Sequence, residues 1–285
     1  MSDVFGEPGF ARLPDGRRLQ YVSQGSGRPV VILESGLGAS RTEWALVMPA
    51  IAGHTRVVAY DRAGLGGSDP DPRRRDLERM VDDLDHLLDH LGADSYVLAG
   101  HSLGGPIIRL YAATRPERVA GLVLIDQAAE DLDLYYRRGQ RAVVLGMQSA
   151  MAGLASVGVK VVPAEIRRLV KLFPPEMGEV ALAEMGRPSE IRATRAEYAA
   201  LAEGFARLRD SPAPLPDVPV TAITGGRRTS KLEKRLHPQL LASHRRQVAS
   251  VRQGRHVVAE RSGHMVPQDQ PDLVIEEILR LVGKA

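Results

Sequence analysis

Ser102 stands between two glycines in Gly100-His-Ser-Leu-Gly104, with Gly105 next, after the apolar run Tyr96-Val-Leu-Ala99 and before a segment of helical character, Pro106 to Thr114. A serine at the tip of a sharp strand-to-helix turn is driven to positive φ, which costs a non-glycine residue energy. Glycines at 100 and 104 remove side chains that would collide where strand and helix close on each other. The turn lifts the Ser102 hydroxyl clear of the backbone, as nucleophilic attack requires. It also puts the Leu103 N–H at a helix start, where it can stabilise an oxyanion. A strand before and a helix after separate this pentapeptide from a chance match in a glycine-rich chain.

A serine hydroxyl is a weak nucleophile at neutral pH and needs a neighbouring base. Of eight histidines, His264 in Ser262-Gly-His-Met265 follows the last strand-like run, at the edge where parallel-sheet sites form. Pro267 then turns the chain away. His101 adjoins the nucleophile, but its side chain is expected to point away from that of Ser102. His256 begins a strand, and His237 and His244 lie in a polar segment. His86 and His90 have the spacing of a metal pair, yet no third ligand motif stands near them, and they read as a solvated helix face. No metal and no cofactor is expected.

The elements that must position these groups are visible as runs and periodicities. Arg17 to Ser23 alternates polar and apolar, as an antiparallel edge strand does. Pro29 to Glu34, Arg56 to Tyr60 and Val119 to Ile125 are continuous apolar runs, as in strands covered on both faces. Val220 to Thr224 and Arg255 to Glu260 read as the last two strands. From Asp76, a candidate N-cap, Leu77, Met80, Val81, Leu84, Leu87, Leu88 and Leu91 trace one helical face. Leu273, Val274, Ile278 and Leu281 mark a closing helix over Asp272 to Val282. Between Gln127 and Ser211 the strand–helix alternation breaks off into a helix-rich stretch punctuated by Pro163, Pro174, Pro175 and Pro188. The glycines of Asp61-Arg-Ala-Gly-Leu-Gly-Gly-Ser-Asp69 do not open a helix, so a dinucleotide loop is rejected. Asp61 reads as a loop brace.

With Gly-His-Ser-Leu-Gly-Gly, the segments Glu34-Ser-Gly-Leu-Gly38, Tyr60 to Asp69 and Ser262 to Met265 make the chain resemble the α/β-hydrolase superfamily, over nearly its whole length and in its small, lid-containing serine esterase-like branch. The resemblance implies a mostly parallel, doubly wound α/β sheet with a helical lid insertion. Residues 1–126 and 212–285 would form the two parts of the core, and 127–211 the lid. In that family the loop after the first buried strand usually begins His-Gly, and the next residue supplies the second oxyanion N–H. By position this is Leu37, with Ser35 in place of the histidine. The family's acid usually follows the penultimate strand, where this chain has Arg228. A known alternative follows the strand after the elbow helix, where Asp126 stands; Glu130, Asp131 and Glu233 are the other candidates. Relatives with an aspartate nucleophile, such as dehalogenases and epoxide hydrolases, are disfavoured because the elbow residue is serine.

The resemblance thus implies a cofactor-free serine hydrolase acting on a small-molecule ester or lactone, with Ser102 as nucleophile, His264 as base and Asp126 as its orienting acid. Leu37 and Leu103 would form the oxyanion hole. The same triad also serves hydroxynitrile lyases, carbon–carbon hydrolases, perhydrolases and acyltransferases, and a non-catalytic ligand sensor would keep the same fold. The apolar stretch Val143 to Val162 reads as a lid helix facing an acyl pocket through Met147, Met151 and Leu154. A membrane-surface or homo-oligomer contact is the other reading. Gln148, Ser149, Ser156, Lys160 and its glycines argue against a transmembrane span.

Composition narrows the partners. Arginines outnumber lysines 33 to 5, and the net charge is only +3. The arginines are scattered, and aromatics make up 4% of the chain, so a nucleic-acid surface is not expected. The absence of cysteine excludes disulfides and thiolate chemistry. The first fifteen residues lack an apolar core of the secretory kind, and the expectation is a cytoplasmic protein.

Overall fold

The computed structural model describes residues 5–283 apart from 7, 160, 161, 163 and 229. Lys160 and Pro163, used in the sequence reading, lie outside the described residues. The strands are β1 (Pro8–Arg12), β2 (Arg18–Gln24), β3 (Val30–Glu34), β4 (Val57–Tyr60), β5 (Tyr96–His101), β6 (Val119–Ile125), β7 (Val220–Gly225) and β8 (Gly254–Ala259). They form one sheet in the order β1-β2-β4-β3-β5-β6-β7-β8. β2 is antiparallel to β1 and β4, and every pairing from β4 to β8 is parallel.

Parallel neighbours need crossover connections, and these put helices on both faces. The helices of the core are α1 (Met48–Ala52), α2 (Leu77–Leu91) and α3 (Gly104–Thr114). The segment after β6 contributes α4 (Arg138–Ser156), α5 (Ala164–Val170), α6 (Pro175–Glu184) and α7 (Pro188–Asp210). The chain then adds α8 (Lys231–Ala249), α9 (Val266–Asp269) and α10 (Pro271–Val282). The period-2 geometry of a strand divides its side chains between two cores. Along β3, Val30 and Ile32 pack with Leu84, Leu88 and Ile107 on one face, while Val31 and Leu33 pack with Trp44, Met48 and Ile278 on the other. Each such side chain contributes roughly 1.5–3 kcal/mol when fully buried, which is why these strands read as unbroken apolar runs. The mostly parallel, doubly wound sheet expected from the sequence is the sheet observed.

Asp76 caps α2 by accepting from the Arg79 N–H at 3.0 Å, and Gly92, left-handed at φ 67°, ends it. Four elements escaped the sequence reading: β1, the short helices α1 and α9, and α8. β1 is a short edge strand. The polar segment holding His237 and His244 is the 19-residue helix α8. A capping box starts it: Ser230 Oγ accepts from the Glu233 N–H, and Glu233 Oε2 accepts from the Ser230 N–H. Of its residues only Ser243, His244 and Val248 are buried, too few to mark an apolar face. Among the described residues, no helix is long and apolar enough to cross a membrane.

Candidate active site

The nucleophile candidate sits at the tip of the β5–α3 turn. Ser102 has φ 51°, as the sequence predicts, and its amide donates to the Ile125 carbonyl at 3.0 Å. A Cβ on Gly100 would lie 2.6 Å from the Gly104 backbone, and one on Gly104 would lie 2.4 Å from the Glu34 carbonyl oxygen. Both neighbours are backbone and cannot swing away, so both positions require glycine.

Three chain-distant side chains converge on this turn. His264 Nε2 lies 3.1 Å from Ser102 Oγ, and its Nδ1 lies 2.7 Å from Asp126 Oδ2. Asp126 follows β6, with φ 36°. Its Oδ1 accepts from the Gly225 N–H at 2.8 Å. Burial pushes the Asp126 carboxyl up, but the hydrogen bond and charge of His264, the charge of His244 and the Gly225 N–H outweigh it. The net shift is below the ordinary aspartate value. A carboxylate at Nδ1 fixes the imidazole tautomer, with the Nε2 lone pair toward the serine hydroxyl.

The other acid candidates are engaged elsewhere. Glu130 forms a bidentate pair with Arg109 at 2.8 and 2.9 Å, Asp131 pairs with Arg246, and Glu233 belongs to the α8 capping box. Arg228, at the position where the family's commoner acid would stand, reaches to within 4.0 Å of Asp126 Oδ1. Asp61 bridges the Arg41 backbone and guanidinium, each at 2.7 Å, and the Gly67 N–H at 3.0 Å, the arrangement of a loop brace.

The His101 ring lies beside that of His264, with centroids 4.8 Å apart, and lines the same cavity as Ser102; its role was not legible in the sequence. Its Nδ1 meets Glu43 Oε1 at 2.7 Å, and its Nε2 meets the His264 carbonyl at 2.8 Å. Burial alone would hold His101 neutral. Glu43 overrides it, raising the histidine above and falling itself below their ordinary values. Each ring nitrogen thus faces an oxygen, a carboxylate on one side and a carbonyl on the other. Glu43 Oε2 also accepts from the Gly36 N–H at 2.7 Å. One buried ion pair thus ties the Gly36–Gly38 loop to the loop carrying His264. No local pattern joins Glu43 to His101, so sequence reasoning had no signal for it.

The Leu37 and Leu103 N–H groups have no protein acceptor among the described residues. Beside Ser102 lies a cavity of about 330 Å³, lined by Leu37, Ile166, Leu169, Val170, Phe173 and Met185 among others. The three residues expected to line an acyl pocket are placed differently. Met147 and Met151 line a neighbouring cavity of about 280 Å³. Leu154 is 45% exposed and lines neither space. α5 and the turn after it take the positions next to the serine, because α4 packs chiefly along α7.

Compared with known proteins, residues 30–277 match the family model described as "Alpha/beta hydrolase family". A soluble epoxide hydrolase of Corynebacterium sp. (strain C12) is 37% identical over 112 residues, 39% of this chain and 39% of that protein. The dihydrolipoyllysine-residue acetyltransferase component of the acetoin cleaving system of Pseudomonas putida is 38% identical over 115 residues, 40% of this chain and 31% of that protein. The chain thus spans less than half the length of the curated relatives it matches. The solved structure of the epoxide hydrolase CorEH without ligand superposes with a TM-score of 0.74 at 25% identity, covering 97% of this chain and 98% of that one.

Proposed function

The chain belongs to the alpha/beta hydrolase family, and on that premise we propose that it is a serine hydrolase that cleaves a carboxylic ester or lactone through an acyl-enzyme on Ser102. The observation that carries this reading is the relay from Asp126 Oδ2 through His264 to Ser102 Oγ, with contacts of 2.7 and 3.1 Å. As Ser102 Oγ adds to the carbonyl carbon, its proton passes to His264 Nε2, and Asp126 stabilises the imidazolium. The carbonyl oxygen becomes an oxyanion and takes hydrogen bonds from the Leu37 and Leu103 N–H groups. Collapse of the tetrahedral intermediate breaks the bond to the alcohol oxygen, which receives the proton from Nε2. Water then attacks the acyl group by the same route and releases the carboxylic acid and Ser102.

The apolar lining from α5 and Phe173 suits an acyl or alkyl group, and residues 127–211 act as the lid that excludes water. Some relatives are named for epoxides. The family members of that kind open the ring with an elbow carboxylate, and this chain has a hydroxyl there, which favours acyl transfer. Fluorophosphonate labelling tests the reading. Wild-type protein should incorporate one phosphonyl group at Ser102 and hydrolyse part of a panel of neutral esters and lactones. Ser102→Ala should do neither. Undiminished ester turnover by a folded Ser102→Ala protein would sink it.

A further inference from the structure

Helix α7 opens with a buried carboxyl group that has no ion-pair partner among the described residues. Glu190 is 7% exposed and takes one hydrogen bond, from the Gly66 N–H to Oε1 at 3.1 Å. Its Oε2 has no hydrogen-bond or ion-pair partner among the described residues. Every other buried carboxyl group among those residues has an arginine or histidine within ion-pairing distance, from Glu34 with Arg62 to Glu277 with Arg255. The exception does not arise from a shortage of arginines. Arg187 directs its guanidinium to the Ala183 and Gly66 carbonyls, and Arg195 donates to the Ser149 hydroxyl.

Glu190 lines the second cavity together with Met147, Met151, Ile166 and Met185. Gly38, Ile166 and Met185 line this space and the one at Ser102 alike. The two spaces therefore adjoin beside the loop that carries the Leu37 N–H. An unpaired carboxylate in apolar surroundings is costly, and a ligand that brings the missing positive charge removes that cost. Methionines supply a flexible, polarizable wall for the carbon chain of such a ligand.

We propose that this cavity is a subsite for an aliphatic ammonium group. The cation sits against Glu190 Oε2, and its alkyl chain lies along Met147, Met151 and Met185. In a substrate the chain continues past Ile166 to an ester carbonyl at Ser102. That last step rests on the serine-hydrolase reading, whereas the ammonium site does not. Burial raises the Glu190 carboxyl to about 8; Glu184 and Asp61 push the same way, against the Gly66 N–H and Arg187. Arg41 lies between Asp61 and Glu184 and pairs with both. Near neutrality the empty site is largely protonated, so a bound cation displaces a proton and affinity rises as pH rises through that value.

Calorimetric titration of n-octylammonium and of 1-octanol into Ser102→Ala protein, with and without Glu190→Gln, tests the subsite in the absence of turnover. At pH 8 the ammonium should bind at least about tenfold more tightly than the alcohol, a difference of ~1.4 kcal/mol. Its binding should release a proton at pH 7, read from heats in buffers of different ionisation enthalpy, and Glu190→Gln should abolish both effects. Equal affinity for the two ligands, or ammonium affinity unchanged by Glu190→Gln, overturns the proposal. The comparison of the two ligands needs no Glu190 variant, so it stands even if circular dichroism shows that the glutamine protein is misfolded. Ammonium preference in a wild type that cleaves no ester would sink the hydrolase reading alone. Ester cleavage without ammonium preference would sink the subsite alone.

Discussion

Ser102 and Asp126 are the only non-glycine residues at positive φ among those described. Such conformations cost about 1–3 kcal/mol each and persist where the surroundings over-determine them. At Ser102 the strain aims the hydroxyl at His264 Nε2, and at Asp126 it accompanies a carboxylate shared between His264 Nδ1 and the Gly225 N–H. The first strain is implied by the pentapeptide itself. The second was not anticipated, because nothing beside Asp126 signals a turn of that kind. Replacing Asp126 by asparagine keeps the shape, removes the charge and allows the wrong imidazole tautomer. Asp126→Asn is expected to lower kcat by more than ~10²-fold near neutral pH, measured by steady-state kinetics on protein with a wild-type circular dichroism spectrum. Activity within a few-fold of wild type would remove Asp126 from the triad.

At the scale of elements, the site depends on loops that leave the sheet at β3, β5, β6 and β8. The Glu43–His101 pair holds two of them together. The folded value of His101 is raised, so its contribution to stability is complete below the ordinary histidine value of 6.5 and is lost as pH rises through the higher folded value. Glu43 is depressed, so its contribution is complete above 4.5 and is lost as pH falls through the lower folded value. Glu43→Gln should cost about 1–3 kcal/mol at a pH between those two values. It should also flatten the decline in Tm that the wild type shows as pH rises beyond the histidine range. An unchanged decline in the variant would place its cause elsewhere.

Elements whose determinants are local could be read from the chain: α2 from Asp76 and its leucine face, and the elbow from its glycines. α8 could not, because too few of its residues are buried to give its capping box an apolar face to accompany it. The cavity lining beside Ser102 could not either. Ile166, Val170 and Phe173 lie in the apolar core through contacts distant in sequence, and Met147 was as apolar a candidate. Glu190 carries no sequence signal, because its burial without an ion-pair partner exists only in the folded chain.

Across the whole molecule, buried ion pairs anchor the helical segment to the sheet. Arg62, in the loop after β4, donates to Glu197 of α7 at 2.8 and 2.9 Å, to Glu34 of β3 at 2.8 Å, and to the Ser35 and Gly36 carbonyls at 2.6 Å each. Arg41 does the same for Glu184 of α6 and Asp61. Removing one partner leaves the others buried and charged. Arg62→Met should therefore destabilise the protein by about 3–5 kcal/mol in urea unfolding, and a loss under 1 kcal/mol (about a fivefold change in the folding constant) would show the network to be dispensable. These anchors hold α6 and α7 close to the Gly36–Gly38 loop, which carries the Leu37 N–H.

The central claim is a covalent acyl-enzyme on Ser102, and rapid acid quench of wild-type protein during turnover of a 4-nitrophenyl ester, followed by peptide mass spectrometry, tests it most directly. The account predicts the mass of the acyl group on the peptide containing Ser102, appearing with the burst of nitrophenol and absent from Ser102→Ala. Turnover with no acylated peptide on a timescale that resolves the burst, or acylation of a different residue, would contradict it.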